Sequence, residues 1–240
     1  QNLGELRQRM LHFMENHDEQ RLASDFIAGH GRPALPAVLV SATIDTCPMM
    51  VYFGQELGER GMDAEGFSGR DGRTTIFDYW SVDTIRRWRD GGTFSGRELN
   101  DGERDLQRQY ARLLHLAREE RAISEGDFFD LMYANPYSDR FNSHRMYAFL
   151  RKHDDELLLI VANFDEHATE VDVHIPIHAF DYFHLPTLEG VEAVELLTGT
   201  TTTLSLTPDA PVRLTVPGYS GGVWKVRQPL AAVNRTEGAG

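Results

Sequence analysis

The chain has 240 residues, and 41% of them are hydrophobic, including 13 Phe, 8 Tyr and 3 Trp. That is the length of one large domain or two modest ones, with enough apolar material to bury a core, and it excludes wholesale disorder. The 24 Lys and Arg are outnumbered by 37 Asp and Glu, for a formal net charge of -13, and the basic residues are interspersed with acids, as in Glu103-Arg104-Asp105. A partner coated in phosphate, whether nucleic acid or membrane surface, is therefore excluded.

No apolar run reaches the roughly 18 residues that a spanning helix needs. The single cysteine, Cys47, cannot make an internal disulfide, and its flank Pro48-Met49-Met50-Val51 reads as buried chain around an inert core thiol. The start, Gln1-Asn2-Leu3-Gly4-Glu5, has neither a Met nor the basic and apolar regions of a signal peptide, which reads as a beginning inside a longer gene product.

Residues 10–14, Met-Leu-His-Phe-Met, form a strand that empties into the polar stretch from Glu15 to Arg21. After Pro33 and Pro36, Leu35, Val38, Leu39 and Ala42 recur at helical spacing, and Asp45, Thr46 and Pro48 end that helix. Residues 49–53, Met-Met-Val-Tyr-Phe, are a second continuous apolar run closed by Gly54, which suits a parallel strand covered on both faces. Strand, helix, strand makes a βαβ unit. From Gly54 to Asn100 the chain is rich in Gly and charge and reads as a long loop.

Asn100 to Arg121 is a helix: Asn100 and Glu103 have capping-box spacing, and Leu106, Tyr110, Leu113, Leu114 and Ala117 line one face. Beyond Gly126 come seven strand-length pieces, at residues 129–133, 146–150, 157–161, 171–175, 191–196, 212–216 and 222–226, separated by turn residues. They predict an antiparallel β-sandwich. The boundary falls near residue 125, giving an α/β portion over 1–125, an all-β portion over 126–230 and a frayed tail over 231–240.

In a parallel α/β sheet, ligands bind at the carboxyl ends of the strands. Asn16, His17, Asp18 and Glu19 follow the first strand, and Gln55, Glu56 and Glu59 follow the second. Two acidic groups with an adjacent His suit sugar or phosphoryl chemistry, while the plainer reading makes Asn16-His17-Asp18 a cap on a helix near Arg21 and Glu56 an ion-pair partner. Asp18 and Glu56 (or Glu15) could be paired carboxylates of a small glycosidase, with about 5–5.5 Å between them for retention or about 6.5–9.5 Å for inversion. The spacing in sequence leaves that distance open.

Phe67, Tyr79, Trp80 and Trp88 in the long loop could stack on sugar faces, although packing anchors are the more common use of such residues. Arg70, Asp71 and Arg73 could reach sugar hydroxyls or simply flank a turn at Gly72. The alternation in Val171-Asp172-Val173-His174-Ile175 puts His174 beside Asp172 on the solvent face, so His174, His178 and His184 are not assigned to a metal. No His-Glu-x-x-His, Gly-rich phosphate loop or Gly-x-Ser-x-Gly elbow is present.

Phe13-Met14-Glu15-Asn16-His17-Asp18 resembles the Phe-x-x-Asn-His-Asp motif that ends the seventh barrel strand in the alpha-amylase superfamily of glycoside hydrolases. Pro48-Met49-Met50-Val51-Tyr52-Phe53-Gly54-Gln55-Glu56 is similar to that family's eighth strand with its Gly-x-Glu end. The loop with Asp71-Gly72-Arg73 and the segment to Trp80, an eighth helix and a C-terminal β-sandwich continue the likeness. Thr46 stands where the family usually has Gly before x-Pro.

The resemblance implies strands and helices 7 and 8 of an incomplete (β/α)8 barrel plus the sandwich, belonging to a retaining α-glucan-active hydrolase. It implies Asp18 as transition-state stabiliser, His17 as a hydrogen-bond donor to the same sugar, and Asn16 as an orienting residue with the substrate nearby. The family's nucleophilic Asp and acid/base Glu have no counterpart here, so the chain alone is expected to be inactive and its partner to be the missing N-terminal barrel portion. No cofactor or metal is expected in this chain; calcium, common in the family, would be held upstream. Open strand edges predict self-association. The implied substrates are starch and maltooligosaccharides, and many family members are periplasmic or extracellular. The alternative is a carbohydrate-binding or interaction sandwich with the half-barrel residues attached only for support.

Overall fold

The computed structural model describes residues 10–63, 70–74, 76–77 and 81–227. Strand β1 (His12–Phe13) pairs in parallel with β2 (Met49–Met50), with His12 opposite Met49 and Phe13 opposite Met50. Both are shorter than the five-residue runs expected. Among the described residues neither has a second neighbour, and the chain turns at each carboxyl end: Asn16 folds the first back, and Gly54, at φ 77°, the second.

Helix α1 (Leu35–Thr43) connects them, with Pro36 in its first turn and Leu35, Val38, Leu39 and Ala42 buried as the periodicity requires. The stretch from Gly54 to Asn100, expected as loop, contains helix α2 (Asp83–Arg89). Its seven residues are too few to display a period. Val82 and Ile85 bury with Leu57 and Leu99, and Trp88 packs edge-on to Phe94 with centroids 5.1 Å apart.

Helix α3 (Asp101–Glu119) carries the expected cap in both halves: Asn100 Oδ1 accepts the Glu103 amide at 2.9 Å, and a Glu103 carboxylate oxygen accepts the Asn100 amide at 2.9 Å. Asn100→Ala is expected to cost about 1 kcal/mol, read as a lower urea midpoint with unchanged slope. A short helix, α4 (Arg121–Ser124), follows. No helix among the described residues is long and apolar enough to cross a membrane.

The remainder is built from β3 (Asp127–Asp130), β4 (Met146–His153), β5 (Glu156–Asn163), β6 (Thr169–Val173), helix α5 (Ile177–Phe183), β7 (Leu188–Glu195), β8 (Thr200–Leu206), β9 (Val212–Val216) and β10 (Ser220–Arg227). Six strands form one antiparallel sheet in the order β3-β4-β5-β10-β7-β8, and β6-β9 form the second. The sequence pattern supplies seven of these eight strands. It misses β8, an edge strand whose run Thr-Thr-Thr-Thr-Leu-Ser-Leu offers only Leu204 and Leu206 to the interior. The first strand is also displaced, because Asp130 accepts the Met132 amide at 2.8 Å and bends residues Met132–Ala134 into a 3-10 turn.

Two cores lie on opposite faces of the large sheet. Leu150, Leu159 and Val161 meet Val171, Val173 and Leu214 of the small sheet, while Phe149, Leu158, Ile160 and Val223 meet Leu39 of α1 and Leu106, Leu113 and Leu116 of α3. Strand β5 is buried on both faces, which is why residues 157–161 are an unbroken apolar run and not an alternating one. The expected boundary near residue 125 falls between α4 and β3, and the packing runs across it.

Candidate active-site turn

The site is built where β1 and β2 end. Asn16 Oδ1 accepts the amides of Asp18 and Glu19, each at 2.9 Å, and so folds the chain into a tight turn. That turn does not begin a helix: residues 21–30 are a series of bends and turns, so the helix-cap reading of Asn16-His17-Asp18 is corrected to a turn cap. The turn pushes its tip outward. The His17 and Asp18 side chains are 53% and 74% exposed, with His17 Nε2 3.5 Å from Asp18 Oδ2.

The residue before this turn does the opposite. Glu15 is buried, its Oε2 lies 3.0 Å from Arg21 Nε, and its Oε1 accepts the Leu22 amide at 2.7 Å. Arg21, fully buried, donates from Nη2 to the Phe53 carbonyl at 2.7 Å and lies over the Tyr52 ring, 4.8 Å from its centroid. One guanidinium thus joins the end of β1 to the end of β2 and fixes the turn tip above them. Sequence reading missed this pair, because Glu15 and Arg21 look like any other charges in a polar stretch. Engaged in this way, Glu15 is not available as a second catalytic carboxylate.

After β2, Gly54 at φ 77° and Gly58 at φ 73° bracket a 3-10 turn over Gln55–Leu57. Gln55 accepts the Tyr52 amide at 3.1 Å and donates to the Tyr110 hydroxyl at 3.2 Å, which ties the turn to α3. Glu59 is buried and committed, accepting the Gly61 amide at 2.7 Å and the Thr84 hydroxyl. Glu56 instead lines a cleft of about 400 Å³ together with Phe53, Ile85, Trp88 and Tyr110.

Burial is the largest influence on these acids. It pushes the carboxyl groups of Glu15 and Glu56 above the ordinary glutamate range, and the Arg21 charge opposes it in both. Burial also raises the hydroxyls of Tyr52 and Tyr110. A carboxyl whose pKa is raised on folding binds its proton more tightly folded than unfolded. Its contribution therefore favours the fold at acidic pH and declines as pH rises through the glutamate range. Glu56→Gln should raise the urea midpoint at pH 7 by more than at pH 4; an equal change at both would show that burial does not disfavour the charged form.

The turn at Gly72 walls one side. Its carbonyl accepts the Arg21 amide at 2.6 Å, its amide donates to Gly61 at 2.9 Å, and Gln20 Nε2 donates to the Asp71 carbonyl at 2.9 Å. Gly61, at φ 59°, has no room for a Cβ, which would stand 2.6 Å from the Gly72 carbonyl carbon. Asp71 Oδ1 accepts the Arg73 amide at 3.0 Å, the geometry of a structural turn. Trp88 packs as an anchor against Phe94. Phe67, Tyr79 and Trp80 lie outside the described residues. His174, His178 and His184 are exposed on the sandwich.

Residues 141–224 match the family described as the maltogenic amylase C-terminal domain. The fold is similar to that of the noncanonic maltogenic alpha-amylase AmyB from Thermotoga neapolitana, with TM-score 0.58 and 16% identity over 92% of this chain and 42% of that one. It is similar to AmyP in complex with maltose, with TM-score 0.61 and 17% identity over 96% and 44% of the two chains. It is also similar to the alpha-amylase from Geobacillus thermoleovorans complexed with acarbose, with TM-score 0.58 and 17% identity over 93% and 40%. The chain thus spans less than half the length of each of these proteins. A comparison with curated protein sequences gives no match.

The family match covers residues 141–224, and the likeness of the fold to alpha-amylase structures extends beyond them.

Proposed function

We propose that the chain is the C-terminal part of a retaining α-glucan-active glycoside hydrolase, in which β1, α1, β2 and α3 supply the last strands and helices of a (β/α)8 barrel. The observation that carries this reading is the parallel pairing of β1 with β2, which puts the Asn16-His17-Asp18 turn and the Gln55-Glu56 turn at the same, carboxyl, end of the sheet. That is the end at which barrel enzymes build their sites. The fold matches extend over more than nine-tenths of the chain, well beyond residues 141–224, which supports this reading.

In this reading the exposed Asp18 carboxylate faces the sugar at the cleavage subsite. It holds hydroxyls of that sugar and stabilises the positive charge that grows as the glycosidic bond breaks. His17 donates a hydrogen bond to the same sugar. Asn16 and the buried Glu15–Arg21 pair hold the turn in place and stay off the substrate. The nucleophile and the proton donor come from barrel strands outside this chain, so the chain alone is inactive. Its substrates are maltooligosaccharides or starch, in keeping with the maltose complex of the AmyP structure.

The test is a reducing-sugar assay on soluble starch and maltooligosaccharides, comparing the complete gene product as wild type with Asp18→Asn at matched folded concentration. A large loss supports the assignment. Undiminished activity would reduce the turn to a structural one, and an inactive wild type would favour a carbohydrate-binding module.

The same reading makes the outer edges of β1 and β2 barrel edges. Met10, Leu11 and Phe13 are 48%, 50% and 46% exposed there. The 240-residue chain by itself is expected to self-associate, with a light-scattering mass that rises with concentration. A constant monomer mass would count against these edges being barrel seams.

A further inference from the structure

At the opposite, amino end of the short parallel sheet, three side chains of different chemistry converge. His12 comes from β1, while Asp45 and Cys47 come from the turn between α1 and β2; one ligand atom of each lies within 4.8 Å of the others. The strand pairing brings them together, since His12 sits opposite Met49 and donates its amide to the Pro48 carbonyl at 2.9 Å. Cys47 is half-buried, not the enclosed core thiol that its apolar flank suggested.

We infer that His12, Asp45 and Cys47 bind a divalent cation of the zinc type, which clips β1 to the turn that precedes β2. A tetrahedral ion about 2.0–2.3 Å from each ligand holds its donors about 3.3–3.8 Å apart, so small side-chain rotations close the present arrangement onto it. His12 Nδ1 lies 3.4 Å from the Ser41 carbonyl, which can only accept. In the proposed site this carbonyl holds the Nδ1 proton and Nε2 serves as the ligand. Asp45 Oδ1 accepts the Thr46 amide at 2.7 Å, which steadies the carboxylate beside Cys47.

A thiolate with an imidazole and one carboxylate selects a borderline ion such as zinc or cobalt over calcium or magnesium, which prefer oxygen alone. Three protein ligands leave a fourth position for water. The cluster lies at the end of the sheet away from Asp18, so its role is to hold the two strands together, independently of the reading of that turn.

The experiment titrates Co2+ into the metal-free complete gene product and into Cys47→Ser, His12→Ala and Asp45→Asn, each shown by circular dichroism to be folded. The expected result is saturable binding with a thiolate-to-cobalt charge-transfer band, displaced by Zn2+, absent in Cys47→Ser, and shifted to about tenfold or more weaker affinity in the other two. A second readout follows Cys47 with a disulfide reagent, and Zn2+ should slow the reaction at least tenfold. Folded wild type without the band overturns the proposal. So does a band that survives Cys47→Ser, or a thiol whose reactivity ignores Zn2+.

Discussion

Arg151→Leu is expected to lower the stability of the chain by about 4 kcal/mol, a large part of the roughly 5–15 kcal/mol that holds a domain folded. Arg151 sits in the middle of β4, is 2% exposed, and spends its guanidinium on four backbone carbonyls. Nε donates to Ala122 at 2.9 Å, Nη1 to Ile44 at 3.0 Å, and Nη2 to Ile123 at 2.6 Å and Gly126 at 2.9 Å. Those carbonyls belong to the end of α1 and to α4 and its exit, so one side chain satisfies both helix ends and fastens them to the sheet. Leucine fills much of the volume and leaves the four acceptors in a dry interior. Arg151→Lys should recover only a minor part, because an ammonium lacks the planar fork that spans separated acceptors. Urea unfolding measures the loss, and a drop below about 1 kcal/mol would show that water replaces the guanidinium.

Asp18→Asn is expected to act the other way, with catalysis lost and the fold untouched. Removing one preorganised electrostatic partner of a transition state typically costs about 10²–10³-fold in rate, and under the proposed function Asp18, as the carboxylate facing a nascent oxocarbenium ion, belongs to that class. Because the charge it opposes exists only in the transition state, kcat and kcat/KM should fall together while KM changes little. The side chain is 74% exposed and makes no buried contact, so the urea midpoint should move by no more than about 0.5 kcal/mol equivalent. A variant that loses activity together with the midpoint would place Asp18 in the scaffold with Arg21. Unchanged kinetics would remove it from the reaction.

What could be read from the residues depended on how far along the chain the cause lies. The two main helices were legible because α1 and α3 carry a local apolar period, and the Asn100–Glu103 box marks the start of α3 within four residues. Strands β4, β5, β9 and β10 were legible from their apolar runs. Strand β8 was not, since an edge strand of threonines has little burial to display. In the site, the Asn16-His17-Asp18 turn was visible as a motif, whereas its support was hidden. The contacts of Arg21 with Phe53 and of Arg151 with Ile44 cross 32 and 107 residues, and nothing local distinguishes those arginines from surface ones. The Gly54–Asn100 loop hid α2 for a similar reason, since its burial comes from Leu57 and Leu99 outside the helix.

The two-sided burial of β5 makes the helical layer and the sandwich a single cooperative unit. Phe149, Leu158, Ile160 and Val223 form the floor on which α1 and α3 rest, and Lys225 reaches across to Glu120 and Glu156 at 2.6 and 2.5 Å. A gene cut between α4 and β3 would divide an interior and not a linker, so the sandwich shuffled alone onto another scaffold would carry a bare apolar face. In this protein the six-stranded sheet serves as the mould against which α1 and α3 set, and neither part keeps its interior without the other.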